Sequence, residues 1–326
     1  MTTLSETPSA APIKAEQPPA GGDLVIAVRG LHKRYGDLEA VRGVDLEVRR
    51  GEIFAFLGPN GAGKTTVVEI LEGFRGRSEG DVTVLGADPA RAGGDWRDRV
   101  GVVLQESSPE PGLTVRECLE LYAGYYRAPR PIDETIALVG LGAKADTPGE
   151  ALSGGQRRRL DVALALVGDP ELIFLDEPTT GFDPSARRTA WDVVAGLRDL
   201  GKTVFLTTHY MDEAERLADR IAVIVGGQIV AGGTPATLGG RDRMPTRIRF
   251  TPSAGADPLP AALAPLARPG ADGATTLTSE APLAHVGMLA DWARRGGFDL
   301  PDLDVRRPTL EEVYLSLTTS DRKDRS

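Results

Sequence analysis

One stretch determines how the rest of the chain is interpreted: Gly58-Pro59-Asn60-Gly61-Ala62-Gly63-Lys64-Thr65-Thr66. It fits the pattern G-x-x-x-x-G-K-[ST] of loops that bind phosphate. The preceding residues 53–57 are apolar, as in a strand buried on both faces, and residues 64–71 predict a helix with an apolar stripe. Unpaired N–H groups and the positive end of the helix dipole favour an anion at that helix start. The sequence therefore predicts a phosphate-binding loop between a strand and a helix.

The residue types in this loop suit a nucleotide. Glycine at Gly58, Gly61 and Gly63 permits positive φ angles and lets backbone amides close around phosphate oxygens. We expect Lys64 to reach the β- and γ-phosphates and the Thr65 hydroxyl to bind Mg²⁺. The alternative is a chance match in a glycine-rich chain, and the strand and helix on either side of the loop disfavour it.

Length and composition indicate an ordinary globular protein. The 326 residues suffice for one large α/β domain with a smaller one, or for two comparable domains. Hydrophobic residues make up 41% and charged residues 26% of the chain, which excludes a fibrous or wholly disordered protein. The single cysteine, Cys118, excludes an internal disulfide framework and fits a reducing compartment. We interpret Cys118 as a buried core residue.

The charge and hydropathy patterns limit the partners of the protein. A net charge of −9 disfavours broad electrostatic binding to nucleic acid or to an anionic lipid surface. No run of the chain approaches the roughly 20 apolar residues that span a bilayer, and the N-terminus lacks an apolar signal core. We therefore predict a soluble or peripheral protein without a direct membrane span, for which any membrane role requires a partner.

The chain divides into a disordered tail at 1–22, a large domain at 23–240, a small α+β module at 241–319 and a frayed tail at 320–326. The first tail is rich in Pro, Ala, Thr and Ser. Strands at 24–28 and 44–48 precede the buried strand at 53, and the alternating pattern of the second indicates an antiparallel edge layer. Further strands are predicted at 81–85, 100–104, 172–175 and 203–207, with a hairpin formed by 221–225 and 228–231.

Helical patterns dominate residues 106–167, which we interpret as a helical subdomain inserted into the large domain. Capping signals mark its helices and the helix predicted at 186–200: the capping boxes Thr114 with Glu117 and Ser153 with Gln156, and the single caps Asp133 and Ser185. In the C-terminal module, strands are predicted at 246–250, 275–278 and 302–306, and helices at 261–266, 284–295 and 310–317. Thr309 with Glu312 caps the last of these helices.

Motifs before and after the loop carry a resemblance to a known family. Leu152-Ser153-Gly154-Gly155-Gln156 resembles the signature motif of ATP-binding-cassette proteins, and Leu172 to Asp176 with Glu177 resembles their Walker B strand. Four further positions match in the same order along the chain: Tyr35 matches the aromatic that stacks on adenine, Gln105 the Q-loop, Gly181-Phe182-Asp183 the D-loop and His209 the switch histidine. The resemblance covers about Leu24 to Leu238. It implies an α/β P-loop NTPase core, a mixed sheet with an antiparallel edge layer and an inserted helical subdomain.

The resemblance implies a role for each polar residue, beside a plainer alternative. Asp176 would hold Mg²⁺ with Thr65 and Gln105, although an acid at the end of a strand can also simply serve a turn. Glu177 would orient and polarise the attacking water, and His209 would contact the γ-phosphate of ATP. Tyr35 would stack on adenine, and the alternative is that it is a packing residue, as a lone aromatic in a turn often is.

Ser153 to Gln156 are predicted to form a helix cap, and the same residues can also bind phosphate. A cap so rich in glycine leaves the helix N-terminus open to a phosphate from another molecule. In the resembled family that phosphate belongs to ATP held by the partner's glycine loop, which implies a head-to-tail homodimer with two ATP molecules between its subunits. Asp183 would couple the two sites. We interpret Arg157-Arg158-Arg159 as a solvated or interface face with one arginine near phosphate, and not as a nucleic-acid site.

Two segments, Thr207 to Glu215 and Pro308 to Tyr314, are similar to the ATPase subunits of daunorubicin-type drug-resistance exporters. The resemblance implies an ATP-hydrolysing subunit that drives a separate polytopic permease from the cytoplasmic face of the cell membrane, with a drug, antibiotic or lipid-like cargo. An importer subunit, a soluble relative acting in DNA repair or translation, and a nucleotide-dependent scaffold without turnover are the alternatives.

Overall fold

The computed structural model describes residues 23–103, 110–253 and 256–323. Two compact units make up this part of the chain, one ending at Pro235 and one formed by Ala236–Ser320. The predicted position Gln105 lies outside the described residues.

The first unit alternates strands and helices in the way that its apolar segments predict. Its elements are β1 (Leu24–Tyr35), β2 (Leu38–Arg49), β3 (Ile53–Leu57), α1 (Lys64–Leu71), β4 (Glu79–Val84), α2 (Gly94–Arg97), β5 (Val100–Val103), α3 (Val115–Ala123), α4 (Ile132–Leu138), α5 (Gly154–Leu166), β6 (Leu172–Asp176), α6 (Pro184–Asp199), β7 (Thr203–Thr208), α7 (Met211–Leu217), β8 (Arg220–Val225) and β9 (Gln228–Gly233).

A six-stranded sheet of order β5-β6-β7-β3-β8-β9 forms the centre of this unit. Its first five strands are parallel, and β9 adds an antiparallel edge through the predicted hairpin. Phe205 contacts both Phe54 and Phe174 on one face, and Ile53 and Leu206 belong to the core on the other face. Burial on both faces explains the continuous apolar runs of β3, β6 and β7.

The antiparallel edge layer is confirmed as a separate three-stranded sheet of order β2-β1-β4. Its strands β1 and β2 are longer than the alternating patterns predict. The ladder between them changes register near Gly30 and Gly43, where the backbone takes φ angles of 52° and 72°. These irregularities shift side chains from one face of the sheet to the other. The alternation of apolar and polar residues is therefore interrupted, and the sequence pattern does not show the full length of β1 and β2.

The helix caps are partly as predicted. Both capping boxes of the helical subdomain, which contains α3, α4 and α5, are formed. The predicted cap Asp133 is wrong, because Pro131 precedes α4 and the Asp133 carboxylate pairs with Arg116 at 2.8 Å. The predicted cap Ser185 is also wrong, because α6 begins at Pro184, two residues before its predicted start, and is capped by Asp183.

The second unit is a small α+β module. It contains β10 (Thr246–Phe250), β11 (Ala267–Pro269), β12 (Thr275–Ser279), α8 (Pro282–Gly296), β13 (Asp304–Arg306) and α9 (Leu310–Lys323). The antiparallel sheet of order β11-β12-β10-β13 shares its own core with α8, centred on Phe250 and Trp292. The helix predicted at 261–266 is only a 3₁₀ turn over Ala264–Leu266, followed by β11, and α9 extends beyond its predicted end.

No helix within the described ranges has the length and apolar character needed to cross a bilayer.

Candidate functional site

The glycine loop connects the end of β3 to the start of α1. Gly63 caps the helix with a φ of 102°, a left-handed conformation that favours glycine. Gly58 lies so close to β8 that an added Cβ would be 2.4 Å from the carbonyl oxygen of Ile224. Pro59, Asn60, Gly61 and Ala62 complete the loop, and Thr65 and Thr66 follow in the first turn of α1. The loop is therefore fixed against the sheet with its helix N-terminus at the strand end.

Lys64 folds back across the loop. Its Nζ donates to the carbonyl oxygens of Gly58 at 2.7 Å and of Pro59 at 3.3 Å, and the residue is only 8% exposed. Burial lowers the pKa of Lys64, while the carboxylates of Glu177 and Asp176 act in the opposite direction. An ammonium group in this loop, beside the unpaired N–H groups of the helix start, forms a cradle for an anion.

Asp176 ends β6, next to β7 in the sheet. In the ladder between them, Asp176 lies opposite Thr207. The Thr207 hydroxyl donates to Oδ1 of Asp176 and accepts from the backbone N–H of Glu177 at 3.1 Å. Because β6, β7 and β3 are neighbours and parallel, their carboxyl ends bring Asp176, Glu177 and the glycine loop to one edge of the sheet.

Glu177 and His209 face each other at this edge. Oε2 of Glu177 lies 3.3 Å from Nδ1 of His209 and accepts from the Thr180 hydroxyl at 3.1 Å. The Glu177 side chain is 14% exposed and that of His209 is 39% exposed, so the carboxylate is the more buried partner of the pair. Glu177 has a φ of 45°, a conformation that costs roughly 1–3 kcal/mol in a non-glycine residue and is typical of functional sites.

The signature motif and the D-loop line a common cleft of about 310 Å³. Ser153 caps α5, because its Oγ accepts from the backbone N–H of Gln156 at 3.3 Å, and the backbone N–H of Ser153 donates in turn to Oε1 of Gln156 at 3.0 Å. The residues around the cleft are Ser153, Gly154, Gly155, Gln156, Arg159, Gly181, Phe182, Asp183, Ala186 and Thr189. None of these described lining residues belongs to the glycine loop. The structure thus brings two predicted motifs together and leaves the phosphate loop outside their cleft.

Asp183 has a local structural role in this cleft. Its carboxylate accepts from the amides of Ala186 at 3.0 Å and Ser185 at 2.8 Å, and these bonds lower the pKa of Asp183. The same oxygen accepts both bonds, which leaves the second oxygen available for another contact. The predicted coupling role therefore does not conflict with the cap.

Tyr35 is at the end of β1 and 39% exposed. The Nζ of Lys33 lies 5.0 Å from the centre of its ring, and Cζ of Arg75 lies 5.4 Å from it. These are cation–π distances. The Tyr35 ring is exposed and has both cations over it, and its stacking on adenine stays a prediction.

Arg158 departs from the interpretation of its three-arginine run as a solvated face, because it is buried at 8% exposure. Its guanidinium donates to the backbone oxygens of Asp176 at 2.7 Å and Pro178 at 3.3 Å. It therefore links the signature helix α5 to the exit of β6. The signal was available, because Arg158 lies four residues before the buried Val162 and eight before the buried Leu166 on the same helical face.

Glu213 is a second residue that the sequence interpretation missed. It is buried on α7, and its Oε1 accepts from the Thr179 hydroxyl at 2.8 Å and from Nε1 of Trp191 at 3.0 Å. Burial raises the pKa of Glu213. The helix that follows His209 is thereby joined to the segment that follows Glu177.

Comparison with known proteins places this site in a family. Residues 41–180 match the model of the ABC transporter family. Over 312 residues the chain is 40% identical to the daunorubicin resistance ATP-binding protein DrrA3 of Streptomyces coeruleorubidus, covering 92% of this chain and 98% of that protein. The chain belongs to the ABC transporter family. A Nod factor export ATP-binding protein I of Ralstonia nicotianae is 42% identical over 234 residues, which are 69% of this chain and 73% of that protein.

Solved structures of ABC transporter proteins share the fold. The cbiO1 protein of Clostridium perfringens, part of the ABC transporter complex cbiONQ, matches with a TM-score of 0.59 and 27% identity, covering 66% of this chain and 90% of that one. A dimeric ATP-binding cassette in a post-hydrolysis state, bound to ADP and Pi, matches with a TM-score of 0.57 and 26% identity over 64% and 98% of the chains. The protein is thus the nucleotide-binding ATPase subunit of an ABC transporter.

Proposed function

We propose that this ABC transporter ATPase drives export of a drug-like or lipid-like molecule through a separate polytopic permease. The observation that supports export is the similarity to a daunorubicin resistance protein over 92% of this chain and 98% of the relative. That alignment is longer than the first unit, so it includes residues of the second unit as well. The name of the Ralstonia relative also refers to export.

In this proposal the chain's own residues divide the work of hydrolysis. Lys64 and the amides of the glycine loop bind the β- and γ-phosphates, and Tyr35 stacks on the adenine. Glu177 orients the attacking water and accepts its proton, and His209 contacts the γ-phosphate. The separation of 3.3 Å between Oε2 of Glu177 and Nδ1 of His209 supports a role for both groups at one reacting centre.

The residues present fit a magnesium ion. Asp176 and Thr65 supply oxygen donors, which this hard cation prefers, and Oδ2 of Asp176 is not the oxygen that binds Thr207. No cluster of three His, Cys, Asp or Glu residues suited to a metal lies in the described ranges. When bound, the ion would neutralise charge on the transferring phosphate. Gln105 stays a proposed ligand.

The catalytic unit in this proposal is a head-to-tail homodimer. The signature cleft contains capped helix N-termini and glycine residues, and the glycine loop of the same chain is not among its described lining residues. A phosphate held by the loop of a second copy would bind between Ser153 and Gly155, and Asp183 would sense it from the other side of the cleft. Each chain thus contributes half of each ATP site.

Transport direction tests the proposal. The full chain is purified with the polytopic membrane protein that accompanies it, and both are reconstituted in inside-out vesicles with ATP outside and daunorubicin as the probe. If the protein drives export, the drug accumulates inside these vesicles. Vesicles that contain the Glu177→Gln variant with the same membrane protein should not accumulate it. Accumulation in right-side-out vesicles with ATP inside would instead identify an importer.

A further inference from the structure

Thr207 is a buried residue of the site for which the motifs give no role. It is the residue before the last of β7, is 1% exposed, and lies opposite Asp176 in the ladder between β6 and β7. His209 follows two residues later. The Thr207 side chain therefore contacts the proposed cation ligand Asp176 and the backbone of the proposed catalytic residue Glu177.

The Thr207 hydroxyl uses both of its hydrogen-bonding capacities within this site. Its single proton is donated to Oδ1 of Asp176, and one lone pair accepts the backbone N–H of Glu177 at 3.1 Å. Because Oδ1 is engaged, the rotation of the Asp176 carboxylate is restricted and Oδ2 is the oxygen left to approach a cation.

Thr207 also holds the backbone of Glu177. The Glu177 N–H donates to the carbonyl oxygen of Thr207 at 3.1 Å as well as to its hydroxyl. Glu177 has a φ of 45°, in the left-handed region, and such a conformation persists only where the surroundings hold it. The direction of the Glu177 side chain, 3.3 Å from His209, depends on that backbone conformation.

We propose that Thr207 is a positioning residue for ATP hydrolysis, whose hydroxyl orients the Asp176 carboxylate toward Mg²⁺ and fixes the Glu177 backbone that aims the catalytic carboxylate. The proposal rests on the proposed function, which assigns the cation to Asp176 and the attacking water to Glu177. Removal of a residue that hydrogen-bonds to a metal ligand typically costs about 10- to 100-fold in metal affinity or activity. Thr207 acts through these two residues and touches no reacting atom itself.

The test uses three variants of the full chain. Thr207→Val keeps the shape of the side chain and the backbone bond to Glu177 but removes the hydroxyl, and Thr207→Ser keeps the hydroxyl. Thr203→Val is the matched control, because Thr203 is a fully buried residue at the other end of β7 whose hydroxyl accepts the Gly51 N–H at 3.0 Å. Both valine variants thus remove a buried hydroxyl from β7, Thr207→Val next to Asp176 and Thr203→Val at the opposite end of the strand.

Mn²⁺ affinity, measured by electron paramagnetic resonance with a saturating non-hydrolysable ATP analogue, gives a readout besides activity. We expect Thr207→Val to raise the Kd for Mn²⁺ and to lower kcat, each by about 10- to 100-fold, with unchanged affinity for ATP in EDTA. Thr207→Ser should restore both values to near those of the wild type. Thr203→Val should leave the Mn²⁺ affinity unchanged.

Several results would overturn the proposal. Wild-type Mn²⁺ affinity and kcat in Thr207→Val would do so, and so would an equal loss in Thr203→Val, which would indicate general weakening of the strand. Failure of Thr207→Ser to restore function would assign the effect to the methyl group. Asp176→Asn separates this inference from the proposed function: if it leaves Mn²⁺ binding intact, the cation assignment is wrong and the Thr207 role fails with it. If Asp176→Asn weakens Mn²⁺ binding and Thr207→Val does not, only the Thr207 inference is wrong.

Discussion

The carboxylate of Glu177 lies 3.3 Å from Nδ1 of His209, at the edge of the sheet where β6 and β7 end. The first prediction concerns this pair. Glu177→Gln keeps the size of the side chain and its contacts with His209 and Thr180, but an amide cannot accept a proton from water. We expect hydrolysis to fall by about 100-fold or more, while ATP binding persists and a dimer accumulates with ATP bound.

Phosphate release and size-exclusion chromatography with ATP measure these two effects. Glu134→Gln is a suitable control, because Glu134 is exposed on α4 in the helical subdomain and should tolerate the same change without effect. Undiminished hydrolysis in Glu177→Gln would contradict the assigned role.

The second prediction concerns the shared ATP site. Ser153→Arg places a large cation in the signature cleft and should abolish hydrolysis without preventing ATP binding to the monomer. Lys64→Ala should abolish hydrolysis because it removes the ammonium group with which the glycine loop binds phosphate. In a mixture of the two variants, a head-to-tail heterodimer contains one site made of an intact loop and an intact signature motif. We expect the mixture to regain activity that neither variant has alone.

The control for the mixing experiment is the double variant, with both changes in one chain, mixed with either single variant. No such pair can form an intact site, so activity should remain absent. If the mixture of single variants also stays inactive although heterodimers form, the site is contained within one chain and the head-to-tail arrangement is wrong.

The third prediction concerns Arg158, whose guanidinium donates to the backbone oxygens of Asp176 and Pro178. Arg158→Ala leaves these buried acceptors without that donor and creates a cavity. We expect the free energy of unfolding to fall by about 2–4 kcal/mol, as measured by urea denaturation. Arg188→Ala on the exposed face of α6 should change it by less than about 0.5 kcal/mol. An equal effect of the two changes would show that the buried hydrogen bonds contribute nothing measurable.

The sequence was sufficient for the strand ends and the motifs because each is a local pattern. Asp176 and His209 both follow apolar runs, and the glycine loop lies between a strand and a helix. The start of α6 could also have been predicted from the sequence. Proline favours the first turn of a helix, so Pro184 makes Asp183 the expected cap in place of Ser185.

The roles of Arg158 and Thr207 depend on which elements are neighbours in space. Thr207 contacts Asp176 only because β7 lies beside β6, and the strand order β5-β6-β7-β3 does not follow the order of the chain. Similarly, Gly30 and Gly43 are positions where strand irregularities remove the alternating pattern that would reveal β1 and β2 in full. Non-local pairing and bulges therefore account for what the sequence did not reveal.

The last prediction concerns Glu72, which follows α1 and is 8% exposed. Burial, with the nearby charges of Asp176 and Glu69, raises the pKa of Glu72 from its ordinary value of 4.5 to about 8. Between these two values the folded protein holds a proton that the unfolded chain has released. The free energy of unfolding should therefore fall as the pH rises through this interval, by up to about 1.4 kcal/mol per pH unit from this one group.

Urea denaturation of the nucleotide-free chain at several pH values between about 5 and 8 measures this slope. In Glu72→Gln the group no longer titrates, so the variant should gain stability relative to the wild type as the pH rises. Glu134→Gln, an exposed control, should follow the pH dependence of the wild type. If the difference between Glu72→Gln and the wild type is the same at both ends of the interval, Glu72 does not retain its proton in the folded state. If instead the wild type gains stability relative to Glu72→Gln as the pH rises, the folded state favours the ionised carboxylate. That is the opposite of what burial at the end of α1 requires.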